Sequence, residues 1–201
     1  MGKISTFIVL LLTGFAIYSC NNTGNPDEKL NDAEAPSGRA EKVNKHPVTG
    51  EDSAKLVSNI LTVKGDVQFP LSLTIDSLKK MNVVALDSFN VVCQSGAVTS
   101  KNIRSRGVLL KDILQKASIK QFDHQDRNFY IVARATDGYK ATFSWAELFN
   151  NPTGENTYVI FEENGQPITI KGAMILNCTN DISTGPRHVI WLKSIEVNKV
   201  D

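Results

Sequence analysis

Residues 129–136 alternate and branch as a β-strand does, break at Asp137-Gly138, and resume as residues 139–143. Asp-Gly favours a tight hairpin turn, so this segment commits the chain to an antiparallel hairpin. Shorter runs with the same character recur at residues 60–63, 89–93, 158–162, 168–170 and 188–197, and each predicts a strand. A second hairpin is expected at Glu163-Asn164-Gly165-Gln166, and residues 174–178 read as a further strand.

Helix signals are fewer and isolated. Leu110, Ile113, Leu114 and Ala117 recur at helical spacing and predict one buried stripe. Ser144 followed by Glu147 is a capping-box pattern that opens a short helix through Leu148, and Thr74 is placed to cap a helix over residues 75–81. Strands scattered among short helices, without regular alternation, predict an α+β fold with a mixed β-sheet.

The N-terminus has a different character. Lys3 precedes an apolar run over residues 7–17 that ends in Tyr18-Ser19-Cys20, the layout of a signal peptide. That run is too short for a bilayer, which takes roughly 20 apolar residues. A small residue before Cys20 resembles a bacterial lipobox, so Cys20 is expected to become the lipidated first residue. Residues 1–19 then form a lipoprotein signal, residues 20–56 a flexible polar tether rich in Asn, Asp, Lys, Gly and Pro, and residues 57–201 the folded domain. This predicts a lipid-anchored protein of the bacterial cell envelope, on the periplasmic or cell-surface side, with the membrane as its first partner.

Losing Lys3 takes 22 basic residues to 21, against 21 acidic ones. A neutral chain has no basic footprint, which argues against nucleic acid as a partner. No CxxC, HExxH, GxSxG, Walker-type loop or GxGxxG occurs, so the usual zinc, serine-hydrolase and nucleotide signatures are missing.

Cys93 closes an apolar run just before a turn containing Gly96. From Ser88 to Lys111 there is no acid, while Lys101, Arg104, Arg106 and Lys111 supply four bases. Nearby cations favour the thiolate, the form that ligates soft metals, and would also attract an anion. Alternatively residues 101–106 form a solvated loop and Cys93 is a small apolar filler. A third reading pairs Cys93 with Cys178, since disulfides persist outside the cytoplasm.

Taken in order, Leu61 with Gly65-Asp66-Val67, then Val92-Cys93, Gly107 to Leu110 with Ile113-Leu114, Asp137-Gly138-Tyr139, Asn164-Gly165 with Pro167, and Gly185-Pro186-Arg187 with Trp191, Ile195 and Val197 resemble the oxidoreductase molybdopterin-binding domain. This is the domain of sulfite oxidase-like enzymes, and the resemblance covers about residues 58–199. It implies Cys93 as a thiolate ligand to molybdenum, Tyr139 as a substrate-orienting residue, and Arg104, Arg187 and Gly96 at the cofactor. The implied activity is a molybdopterin-dependent oxidoreductase working with an envelope redox partner. The rival is a cofactor-free member of the same fold that binds an anionic small molecule or another envelope protein.

Overall fold

The computed structural model describes residues 50–200. The segment expected to be a signal peptide, Cys20 and nearly all of the expected tether lie outside the described residues. A short helix, α1 (Gly50–Lys55), falls at the end of the segment read as tether. Just beyond it, the Leu56 carbonyl accepts a 2.5 Å hydrogen bond from Thr136 Oγ1, joining this end of the chain to the domain.

Two five-stranded sheets form the body. The first contains β1 (Leu61–Gly65) and β2 (Leu71–Leu73), with α2 (Ile75–Lys79) following under the predicted Thr74 cap. The chain then builds β3 (Val83–Val92), β4 (Val98–Leu109) and α3 (Leu110–Ala117). The predicted Asp-Gly hairpin follows as β5 (Phe129–Ala135) and β6 (Lys140–Ser144), and Ser144 caps α4 (Trp145–Phe149) through a complete capping box with Glu147. The remaining strands are β7 (Thr157–Glu163), β8 (Gln166–Pro167), β9 (Ile175–Cys178) and β10 (Leu192–Lys199).

The first sheet runs β2-β1-β10-β5-β6, and the second runs β3-β4-β7-β8 with β9 also paired to β7. β1 and β10 are parallel, with Thr62 opposite Ser194, while the other pairings are antiparallel. This is the α+β mixed-sheet architecture expected. The main core gathers Leu61, Val63, Ile131, Ala133, Ile195 and Val197 from the first sheet, the α3 stripe of Leu110, Ile113, Leu114 and Ala117, and Val159, Phe161 and Leu176 from one face of the second. The other face of the second sheet carries a smaller cluster, Ile160, Ile168 and Ile175, packed against Leu86, Phe89, Tyr158 and Ile190.

Three sequence readings are corrected. Residues 101–106 are not a loop but the middle of β4, with Ile103 and Ser105 buried and Arg104 and Arg106 exposed in strict alternation. The signal was hidden because only Ile103 is apolar among them. Residues 168–170 form no strand: Ile168 is buried in the second cluster and Ile170 is exposed. The run at 188–197 is divided by Trp191, whose φ of 51° breaks the strand, so β10 begins at Leu192 and pairs regularly with β5 from Ser194.

Candidate functional site

Cys93 follows the last residue of β3 and starts the turn into β4. Its N–H donates to Ala97 O at 2.8 Å, and its carbonyl accepts from Gly96 N–H at 2.9 Å. Gly96 has φ of +81°, so its place is conformational, in the turn that sets the direction of Cys93.

The exposed edge of β3 beside Cys93 is not left open. Thr184 Oγ1 accepts from Val92 N–H at 3.0 Å and donates to Asn90 O at 3.0 Å, standing in for a strand neighbour. Gly185 then crosses so closely that a Cβ there would sit 2.9 Å from Val92 O and 3.2 Å from Cys93 Cα. The next carbonyl, of Pro186, accepts a 2.7 Å hydrogen bond from Tyr139 Oη. A β-hairpin turn, a strand end and a short 3-10 helix (Gly185–Arg187), separated by tens of residues in sequence, are thereby joined at one place.

Between them lies a cleft of about 390 Å³, whose walls include Cys93, Gln94, Thr99, Tyr139, Pro186 and His188. Larger hollows of about 600 and 420 Å³ open elsewhere, but neither holds a thiol. In the larger, Lys64 and Arg134 already share Glu196. Cys93 is half-buried and free. Cys178 is free as well but fully buried, its thiol turned to Asn180 and Asp181, and burial pushes that thiol up. His188 is held in its neutral form: burial, helped by the charge of Lys171, lowers its pKa to about 4. Its Nε2 is buried without a hydrogen-bond partner.

The cleft unites Cys93 with Tyr139, and Gly96 belongs to the adjoining turn. It does not include the two arginines expected there. Arg104 is on β4, exposed, with its N–H donating to Asn164 Oδ1. Arg187 turns to the opposite side of its loop: Nε bonds Asp181 Oδ2 at 2.7 Å, Nη2 bonds Asp181 Oδ1, Nη1 bonds Glu147 Oε1 at 2.9 Å, and the guanidinium lies 4.6 Å from the Phe143 ring centre. Its fork is filled by two carboxylates, and the Asp181 bond foremost raises its pKa. Sequence reasoning missed Thr184 and His188, although both flank the Gly-Pro-Arg motif; an isolated His or Thr carries no local mark of its contacts.

Arg187 is therefore a structural tie for the Cys93 loop. Replacing it by leucine leaves the partly buried carboxylates of Asp181 and Glu147 without their cation. The expected loss is about 2 kcal/mol, below the figure for a fully buried pair because the side chain keeps 20% exposure. Urea unfolding of the variant measures this directly.

The fold and cleft define an α+β domain with one open thiol at the end of a strand. The family model described as "Oxidoreductase molybdopterin binding domain" matches residues 54–201, and the chain belongs to that family. Its structure is similar to the sulfane dehydrogenase SoxCD from Paracoccus pantotrophus, at a TM-score of 0.53 and 16% identity over 75% of this chain. At that identity the likeness is one of fold, and this chain spans 39% of the SoxCD chain. Among curated proteins none matches at a significant level.

The cleft's donors fit the metal end of such a cofactor: a free, half-buried thiol shares the walls with an imidazole whose Nε2 is buried and unsatisfied. The described walls offer no lysine or arginine to a phosphate.

Proposed function

We propose that this chain is a lipid-anchored, extracytoplasmic oxidoreductase domain that holds a molybdopterin-type cofactor in the Cys93 cleft. The observation that supports this most is the placing of Cys93, a strand-end thiol stitched from both sides and open to a cleft of about 390 Å³. A molybdenum centre bound there supplies two-electron redox chemistry. Cys93 holds it through the thiolate, a soft donor suited to a soft site. Tyr139, 40% exposed and fixed by its bond to Pro186 O, keeps oxygen lone pairs free at the cleft to orient a substrate. His188 adds a neutral hydrogen-bonding wall.

A second reading, a cofactor-free binding module of the same fold, is favoured by one observation. Neither arginine that would attract an anion lines the cleft, and the Arg187 guanidinium is bound to Asp181 and Glu147 instead. Metal analysis of protein isolated from its native envelope separates the two. Near-stoichiometric molybdenum, lost in a Cys93→Ser variant as stable as metal-free wild type, is the expected result; native protein devoid of molybdenum excludes the cofactor reading. The anchor is tested independently, because Cys20→Ala should move the protein from the membrane fraction to the soluble one.

A further inference from the structure

β9 and the segment before β10 meet at an antiparallel bridge, Leu176 opposite Val189, with both backbone hydrogen bonds made at 2.8 and 2.9 Å. The bridge is a single pair; continuing its register by one residue sets Asn177 across from His188, and one residue the other way sets Ile175 across from Ile190. Directly opposed antiparallel residues share a face. Leu176 and Val189 enter the main core, whereas Ile175 and Ile190 belong to the smaller cluster on the far face, so Asn177 and His188 lie on that far side too.

Asn177 is anomalous there. It is 0% exposed, and neither Oδ1 nor Nδ2 has a hydrogen-bond partner. His188, next to Val189 of the bridge, has an unsatisfied Nε2 and also forms part of the Cys93 cleft wall. Two side chains, each one residue from the bridge, thus carry three buried polar atoms with nothing to bind, and His188 borders the cleft. Leaving such atoms unpaired costs far more than a bound polar group would. A carboxamide beside an imidazole offers a donor and an acceptor with no net charge, and no lysine or arginine lines the cleft to favour an anion.

We propose that the Cys93 cleft continues inward to a neutral polar subsite, built by His188 and Asn177, that takes an uncharged hydrogen-bonding group of a small molecule, an amide being the simplest case. This deepens the reading of the cleft as a binding site and does not depend on a metal. It also replaces the anionic ligand expected from the sequence with a neutral one.

Two thiol reagents of equal size test it, iodoacetamide and iodoacetate, used on the metal-free full chain with the Cys93 adduct followed by peptide mass spectrometry. Each alkylates the thiolate with loss of iodide, and they differ in presenting an amide or a carboxylate. The amide-to-carboxylate rate ratio at Cys93 should exceed that of the same chain unfolded in urea by about fivefold, the size of one ordinary hydrogen bond. In Asn177→Leu, and separately in His188→Phe, the ratio should fall to the unfolded value. Asn177→Leu removes two unpaired atoms at nearly constant volume, so its Tm should hold or rise. A folded ratio equal to the unfolded one overturns the subsite outright, and so does a raised ratio that survives both variants. Native protein without molybdenum that still shows the selectivity would end the cofactor reading and leave the subsite standing.

Discussion

Replacing Gly65 by alanine is expected to destabilise the domain by roughly 2–5 kcal/mol, the sum of a left-handed backbone penalty and an overpacked contact. Gly65 ends β1 with φ of +94°, and a Cβ there would lie 2.0 Å from Val197 O. That oxygen cannot move away cheaply, since it accepts from Asp66 N–H at 2.9 Å within the parallel β1–β10 pair at the centre of the first sheet. Gly138 provides the control. Its φ of +91° is nearly the same, but a Cβ there meets nothing within 4 Å. Gly138→Ala should therefore show only the backbone part, about 1–2 kcal/mol. Urea denaturation of both variants measures the difference, and equal losses would mean that the contact with Val197 contributes nothing.

Metal-free protein is expected to lose about 3 kcal/mol of stability between neutral pH and pH 4 from His188 alone. The folded pKa of about 4 lies below the ordinary 6.5, chiefly because burial disfavours the charged ring. Above 6.5 neither state binds the proton and the contribution is complete. As pH falls from 6.5 towards 4 the unfolded chain takes up a proton that the folded one refuses, and the contribution is lost. Two carboxylates act in the same direction at lower pH. Burial pushes the Glu147 carboxyl up, but the Ser144 N–H and the Arg187 guanidinium hold it below its usual 4.5. Burial likewise opposes the lowering at Glu196, where Arg134 and Lys64 prevail. Both depend on ionised carboxylates, so their contribution is present above 4.5 and lost on acidification. Unfolding midpoints at a series of pH values should decline steadily from 6.5 downward, and His188→Phe should flatten the upper part of that decline. A wild-type curve level between pH 6.5 and 5 would show that the ring titrates normally in the fold.

Local physics made much of the architecture legible. Asp137-Gly138 makes its hairpin, Ser144 and Glu147 close their capping box, Thr74 caps α2, and Leu110, Ile113, Leu114 and Ala117 bury one stripe. Each depends on torsions or contacts within a few residues, which a short window of sequence contains. The ordered motifs around Cys93 and Gly185-Pro186-Arg187 likewise led to the family to which the chain belongs. β4 was hidden because a strand with one wet face displays charge at every second position, and Lys101, Arg104 and Arg106 read as a solvated stretch.

The composition of the site was settled only by tertiary structure. Whether an arginine serves a ligand or a carboxylate depends on what lies at the end of its side chain, and for Arg187 that is Asp181 six residues away and Glu147 forty residues away. Which side of a strand Arg104 occupies follows from its place between buried Ile103 and Ser105, and the His188 segment is brought beside β9, which carries Asn177, by the Leu176–Val189 bridge. The sequence determined which elements form and placed a thiol at the end of a strand. Charge pairing and strand register act between distant residues, and they decided that the cleft beside that thiol is neutral.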